Sequence, residues 1–357
     1  MNDHQVAVNE YRTLLSLYEA CAARLESLMR DLLKEEGIKV HFFESRVKSP
    51  ESLADKIRRP DKSYESPLEE VTDLIGLRIV LYYQDDIESV SKLIGREFTV
   101  YERVDAHQVD DYSPDRFGYL SAHFIVGLNE SRASLTEWKA TASKRIEIQV
   151  RTVLQHSWAA VSHILQYKRE ADVPPLLRRR LFRLAGLFEL ADEQFMEIRD
   201  EAMRLSEGAK ELYIAGAQNI ALDVVSVREF VRLSPKVDVL LERISGMGFV
   251  VDDEAILEAR SSGGDYAPEL VDLCQKLGIL TTNDLESLFE VEYGAYFEEL
   301  MRMNSSEKWI VSREFAVILL VILAQWKQIL DKHLLEGQGW SPSILNIVIE
   351  SARKIRP

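Results

Sequence analysis

Apolar positions along the chain change their spacing twice, first from a helical to a strand pattern and later back to a helical one. Residues 5–36 place apolar and aromatic side chains near one helical face, and Gly37 follows as a stop signal. The segments after it read as strands: KVHFFESRVK, GLRIVLYY, FTVYERVDAH, SAHFIVGL and RIEIQVRT. Helical patterns at SPESLADKIRR and DDIESVSKLIGREF lie between some of them. This mixture predicts an α+β domain in which helices flank a mixed β-sheet.

Strand patterns almost vanish after Val153, where long helical patterns take over. The segment DVPPLL marks the change, so we place a domain boundary near Ala171. The prediction is one domain over residues 5–170 and an all-α domain over residues 175–357. The longest apolar run, FAVILLVILA from Phe315, has about ten residues, so it predicts a buried helix and is too short to span a bilayer. We expect no membrane insertion.

The strand RIEIQVRT carries a glutamate within its alternating pattern. Because strand side chains alternate between two faces, its isoleucines and valine predict a buried face, and the other face receives Glu147, Gln149 and Arg151. A solvent-exposed sheet face would show the same pattern. A second carboxylate, Asp73 in VTDLIGLRIV, precedes another predicted strand. On that strand, alternation places Arg78 on the polar face. Two such carboxylates can hold Mg²⁺, which takes its remaining ligands from water and substrate phosphates.

Cationic residues concentrate just before this aspartate, in ESRVKSPESLADKIRRPDK. Phosphate chemistry needs such groups, although a helix with a solvated basic face would look similar. The residues concerned are Arg46, Lys48, Lys56, Arg58, Arg59 and Lys62.

The segment DRFGYLSAHF adds features suited to a nucleotide. Gly118 permits close approach of the backbone, and the ring of Tyr119 can stack on a base. His123 follows where a strand would direct it toward the same polar face. The Gly-Tyr pair alone is weak evidence, because a tyrosine there is more often a core or turn residue.

Composition narrows the class of protein. The chain has 357 residues, 44 Lys+Arg against 59 Asp+Glu, and a formal net charge of −15. This charge argues against broad adhesion to nucleic acids or anionic membranes, but it leaves room for a local basic pocket. The two cysteines, Cys21 and Cys274, are far apart and form no CxxC pair, which fits a reducing cytoplasm. The amino-terminal residues do not form a signal-peptide pattern.

Five motifs in order resemble the synthetase domain of the RelA/SpoT family, and in particular the small alarmone synthetases. They are SRVKSPESLADKI, VTDLIGLRIV, GYLSAHFIV, IEIQVRT and HSWAAVSHILQYK, between about Phe43 and Lys168. The resemblance implies a nucleotidyltransferase-like fold. It also implies a pyrophosphokinase that transfers the β,γ-pyrophosphate of ATP to the ribose 3′-hydroxyl of GDP or GTP, making (p)ppGpp.

The resemblance also implies roles for individual residues. Arg46 and Arg78 would sandwich the adenine of ATP, and Lys48, Lys56 and Arg59 would bind its triphosphate. Asp73 and Glu147 would hold Mg²⁺, with Glu147 as the candidate base. The acceptor nucleotide would be bound by Arg116, Tyr119, His123, Gln149, Arg151, His163 and Lys168.

Three positions depart from the family pattern and leave the acceptor open: Leu120, Ala122 and Ser162. One alternative is a toxin-type synthetase that adds pyrophosphate to the 3′ end of tRNA or to adenosine nucleotides. A tRNA substrate would need a basic surface beside the active site, for which the candidates are the arginines of Arg178 to Arg183 and the segment Arg58 to Lys62. Another is an inactive nucleotide-sensing module, against which the retention of both carboxylates speaks.

The chain lacks the His-Asp dipeptide of the family's hydrolase domain, so we expect synthesis without hydrolysis. The helical domain over residues 175–357 resembles no family that we can identify. Self-association, binding of a regulatory protein and restraint of the synthetase are its open roles.

Overall fold

The computed structural model of the chain describes residues 3–60, 63–104, 121–165, 174–217, 219–259, 265–303, 309–329, 335 and 342–355. The chain divides into two units, Met1–Arg199 and Asp200–Pro357. The predicted boundary near Ala171, between a domain over residues 5–170 and a helical domain over residues 175–357, stays a prediction.

The first unit is built on a sheet whose strands alternate with helices along the chain. Its elements are α1 (Asp3–Glu35), β1 (Val40–Val47), α2 (Pro50–Ile57), α3 (Pro67–Glu70), β2 (Ile75–Leu81), α4 (Asp85–Glu97), β3 (Phe98–Val104), β4 (Ala122–Leu128), α5 (Glu130–Ala133), β5 (Ile146–Thr152) and α6 (Val153–Leu165). A longer helix, α7 (Pro175–Ile214), begins in the first unit and ends in the second. All five predicted strands and both predicted intervening helices are present. The first helix ends as expected, because Gly37 adopts a φ of 69° that favours glycine.

The sheet has five strands in the order β1-β2-β5-β4-β3 and is mixed. Strands β2 and β5 are parallel, and the other neighbouring pairs are antiparallel. The isoleucines of β2 and β5 are buried together with Tyr11, Leu25 and Leu33 of α1 in one core. Helix α1 therefore belongs to the core beneath the sheet, and the polar side chains of β2 and β5 lie on the sheet's other face.

In the described part of the second unit, the regular elements are helices and two short paired strands. Its elements are α8 (Val224–Leu233), α9 (Pro235–Gly246), β6 (Val250–Val251), α10 (Asp253–Ala259), α11 (Ala267–Lys276), α12 (Thr282–Ser287), a 3₁₀ helix (Leu288–Glu290), α13 (Gly294–Met303), β7 (Ile310–Val311), α14 (Arg313–Ala324) and α15 (Pro342–Ile355). Residues 315–323 of α14 are all buried, which confirms the buried helix predicted from the apolar run. Among the described helices, none has both the length and the apolar character needed to cross a lipid bilayer.

Candidate active site

Two rows of side chains cross the polar face of the sheet of the first unit. In the first row, the strand register places Arg46, Gly76, Glu147 and Ile125 side by side. In the second row, it places Glu44, Arg78, Gln149 and His123 side by side. Five of the residues predicted from the sequence therefore lie on one face, within two neighbouring rows.

Glu147 lies between a guanidinium and an imidazole. Its Oε2 is 3.8 Å from Arg46 Nη2, and its Oε1 is 3.6 Å from His123 Nδ1. Burial raises the pKa of Glu147, but the nearby side chains of His123 and Gln149 favour the carboxylate and offset this effect, so that the pKa lies below its ordinary value. The carboxylate is therefore ionised at neutral pH and can accept a proton or a metal ion.

Gly76 provides the space in which Arg46 crosses the sheet. A Cβ at residue 76 would lie 3.3 Å from Arg46 Nε, closer than most side-chain contacts. The Arg46 side chain remains half exposed. One flat side of its guanidinium therefore stays available to a stacking partner.

Asp73 lies just before β2 and binds two lysines. Lys48 Nζ is 2.9 Å from Asp73 Oδ2, and Lys56 Nζ is 2.9 Å from Asp73 Oδ1. Burial raises the pKa of Asp73, and the hydrogen bonds and charges of the two lysines outweigh this effect, so the pKa is lowered. Lys48 is the first residue after β1, and Lys56 is carried by α2, whose amino terminus is capped by the Ser49 side chain.

Both carboxylates have the chemistry that a hard divalent cation requires. Their side chains are 17% exposed and ionised, and the Asp73 charge raises the pKa of Glu147, so the two carboxylates interact electrostatically. Within the described ranges, no cluster of three or more His, Cys, Asp or Glu side chains could hold a metal ion. A divalent metal at this site would thus take only these two protein carboxylates and complete its shell with water and substrate oxygens, as Mg²⁺ commonly does.

Two further arginines, Arg78 and Arg151, belong to the polar strand positions beyond the Arg46 row. Arg78 Nη1 donates a hydrogen bond of 2.6 Å to Glu44 Oε2, and Arg151 Nη2 donates one of 2.5 Å to Gln149 Oε1. Arg151 is buried, which together with the Arg78 charge lowers its pKa to about 10. Arg151 is therefore enclosed, whereas the side chains of Arg78 and Glu44 stay partly exposed, at 23% and 41%.

The remaining predicted site residues divide into three groups. Arg59 is exposed just beyond α2. Arg116, Tyr119 and Lys168 lie outside the described residues, and His163 lies in α6 but its side chain is not among those described.

Glu44 and Ser121 are members of this face that sequence reasoning missed. Glu44 fixes Arg78, and Ser121 Oγ is 2.6 Å from His123 Nε2. Glu44 has the same strand parity as Arg46, so alternation in VHFFESRV could have indicated it. Ser121 shares its parity with His123 and could have been found in the same way.

Comparison with known proteins adds a family and two relatives. Residues 45–172 match the family described as "Region found in RelA / SpoT proteins". GTP pyrophosphokinase YwaC of Bacillus subtilis (strain 168) is 26% identical over 210 residues, which cover 56% of this chain and 96% of that protein. GTP pyrophosphokinase YjbM of the same organism is 29% identical over 169 residues, which cover 45% of this chain and 73% of that protein. Among solved structures, the small alarmone synthetase 1 from Bacillus subtilis is similar with a TM-score of 0.44 and 27% identity, over 55% of this chain and 99% of that chain.

Proposed function

We propose that this chain, which contains a RelA/SpoT region over residues 45–172, is a pyrophosphokinase that transfers the β,γ-pyrophosphate of ATP to the ribose 3′-hydroxyl of GDP or GTP. The match confirms the resemblance indicated by the five motifs. Two relatives that carry the name GTP pyrophosphokinase support this activity.

The observation that carries the proposal is the arrangement of charge on the polar face. Two ionised carboxylates, Asp73 and Glu147, lie at one end of the sheet among three cationic side chains, those of Arg46, Lys48 and Lys56. A nucleotide triphosphate needs cations to neutralise its phosphates, and a transfer reaction needs a base beside them. A structural ion-pair network would need neither the half-exposed Arg46 nor a carboxylate that contacts a histidine.

On the donor side, Arg46 and Arg78 sandwich the adenine, since planar guanidinium groups stack well on aromatic rings. Glu44 supports this role because it holds the Arg78 guanidinium in place through a hydrogen bond of 2.6 Å. Lys48, Lys56 and Arg59 bind the triphosphate. In binding it, the two lysines exchange part of their contact with Asp73 for phosphate oxygens.

The chemical step is an attack by the acceptor 3′-oxygen on the β-phosphorus of ATP. A bond forms between that oxygen and the β-phosphorus, the bond to the oxygen bridging the α- and β-phosphates breaks, and AMP leaves. Glu147 accepts the hydroxyl proton, and its lowered pKa ensures that it is ionised beforehand. His123, 3.6 Å from Glu147, holds this carboxylate in position.

We propose that Asp73 and Glu147 would hold a divalent metal, namely Mg²⁺. When bound, it neutralises charge on the transferred phosphates. The ionised state of both side chains and their hard oxygen atoms support this assignment.

On the acceptor side, we assign Gln149 and Arg151 together with His123, which share the polar face with Glu147. Tyr119 stacks on the guanine, and Arg116, His163 and Lys168 contact the acceptor phosphates. These last four assignments rest on the family motifs alone.

The experiment is transfer of label from γ-labelled ATP to GDP, GTP, ATP or bulk tRNA in separate reactions. We expect labelled product with GDP or GTP and little with the others. Labelling of tRNA alone, or of adenosine nucleotides alone, would contradict a guanosine acceptor and indicate a toxin-type synthetase. Absence of transfer to all four, with ATP still bound, would indicate a nucleotide-sensing module.

A further inference from the structure

Helix α1 makes a hydrogen bond to the backbone of the loop that supplies Lys48. Tyr11 of α1 is fully buried, and its hydroxyl donates a hydrogen bond of 2.7 Å to the carbonyl oxygen of Lys48. Burial raises the pKa of Tyr11, so the hydroxyl keeps the proton that it donates. This contact joins residues far apart in the chain.

The backbone of Lys48 is fixed at both of its polar groups. Its N–H donates a hydrogen bond of 3.0 Å to the carbonyl oxygen of Leu74, and its carbonyl accepts the Tyr11 hydroxyl. Its side chain then reaches Asp73 at 2.9 Å. Lys48 is thus held from the helix on one side and from the start of β2 on the other.

The same loop leads directly into α2. Ser49, the next residue, caps the amino terminus of α2 by accepting a hydrogen bond from the N–H of Ser52, and α2 carries Lys56. The position of Lys48 therefore sets where α2 begins. Fixing a loop before the ligand binds removes an entropy cost from the binding step.

We propose that Tyr11 is a positioning residue for the donor site, whose hydroxyl holds the Lys48 loop in the conformation that binds the triphosphate of ATP. This inference rests on the proposed function, because it takes Lys48 and Lys56 to be the triphosphate ligands. Tyr11 acts through the Lys48 backbone and touches neither substrate.

The neighbouring Tyr18 offers a matched control on the same helix. It is also buried, and its ring centroid lies 5.3 Å from that of Tyr11. Its hydroxyl is buried without a hydrogen-bond partner among the described residues. Tyr11→Phe and Tyr18→Phe therefore remove the same atom from the same core, and only the first change breaks a bond to the loop.

The test measures binding of a non-hydrolysable ATP analogue by calorimetry, together with KM for ATP, KM for the acceptor, kcat and the melting temperature. For Tyr11→Phe we expect the dissociation constant of the analogue and KM for ATP to rise about fivefold to tenfold, the size of effect that one lost hydrogen bond produces. The acceptor KM should change less than about twofold, because the acceptor does not touch the loop. Tyr18→Phe should leave all of these values within about twofold of the wild type.

Amide hydrogen exchange gives a second readout that does not depend on activity. Residues 47–50 should exchange faster in Tyr11→Phe and at the wild-type rate in Tyr18→Phe.

An unchanged affinity for the analogue in folded Tyr11→Phe would overturn the proposal. Equal losses in donor and acceptor KM with a lower melting temperature would also overturn it, since they would indicate general destabilisation. Absence of analogue binding by the wild type would overturn it as well. If the wild type binds the analogue but transfers no pyrophosphate, the proposed function is contradicted. The comparison of analogue affinity between Tyr11→Phe and Tyr18→Phe then still decides whether Tyr11 positions the Lys48 loop.

Discussion

His156 shows how strongly the arginines of the polar face affect their neighbours. Burial together with the charges of Arg78 and Arg151 lowers its pKa below its ordinary value. Glu44 opposes this shift, and His41 adds to it. The neutral imidazole is therefore the form that the folded chain favours.

This shift predicts a pH dependence of stability. As the pH falls below about 6.5, an unfolded chain protonates this histidine while the folded chain resists protonation. The free energy of unfolding should therefore decrease as the pH falls from about 7 to 5, and His156→Gln should make this dependence shallower. The measurement is urea denaturation across this range. An identical slope in variant and wild type would show that His156 is not coupled to the two arginines.

At the scale of single residues, alternation along the strands predicted much of the polar face. Glu147, Gln149 and His123 share a face because side chains alternate along a strand, and this alternation can be read from the sequence. Partners could not be read in the same way, because contacts such as Lys56 to Asp73 depend on where α2 begins. The hydrogen bond of the Tyr11 hydroxyl is the clearest example of such a partner. In the sequence, the position of Tyr11 indicated only that it belongs to the apolar face of the first helix.

At the scale of elements, α7 contacts both β5 and the start of α4 within the first unit. Thr152, at the end of β5, donates a hydrogen bond of 2.7 Å to Asp192 Oδ2, and both residues are buried. Arg199 pairs with Asp85 at the start of α4 through two hydrogen bonds, of 2.8 and 2.6 Å, and its guanidinium lies 4.7 Å from the ring centroid of Tyr83. The first contact is desolvated, whereas Asp85 is half exposed.

These contacts should differ in their contribution to stability. Thr152→Val keeps the shape and leaves a buried carboxylate without one donor, so we expect it to lower the free energy of unfolding by about 1–3 kcal/mol. Arg199→Gln, on the same helix, should cost less than about 1 kcal/mol, because its carboxylate partner remains solvated. Chemical denaturation of both variants measures the difference. A larger loss for Arg199→Gln would show that the exposed contact anchors α7.

The types of the elements were predictable, whereas the order of the strands was not. Each strand segment carried its own pattern, and the glycine stop after α1 was visible in the sequence. The parallel pairing of β2 with β5, which brings Gly76 beside Glu147, joins segments separated by two described helices and two described strands. Local patterns contain no information about such pairing.

At the scale of the whole molecule, the helical region is the part whose function is least defined. We propose that the domain over residues 175–357 regulates the synthetase, binds a regulatory protein or mediates self-association. The buried α14 shows why its fold class was readable, since an apolar run of that length suits the interior of a helical unit. Its function was not readable, because no motif in it indicates chemistry.

Two truncations test this role. Residues 1–171 lack α7, and with it both contacts to Thr152 and Asp85, so we expect a lower melting temperature. Residues 1–216 keep α7 up to the glycine that ends it, where φ is 69°, and should fold. Compared with the full chain, 1–216 should differ in the transfer rate or in the number of chains per particle in solution. Equal rates and an equal number of chains per particle would leave only the binding of a separate partner.

The central claim is that Glu147 acts within a pyrophosphate-transfer site, and one assay tests it most directly. The rate of label transfer from γ-labelled ATP to GDP is measured for wild type, Glu147→Gln and Glu102→Gln. Glu102 is a matched control because it lies on β3 of the same sheet and pairs with Ile125, whose other neighbour is Glu147. We predict that Glu147→Gln lowers the rate by about 100-fold or more, the effect of losing a general base, while it melts like the wild type and Glu102→Gln keeps wild-type activity. Substantial transfer by folded Glu147→Gln, or no transfer by the wild type, would contradict the account.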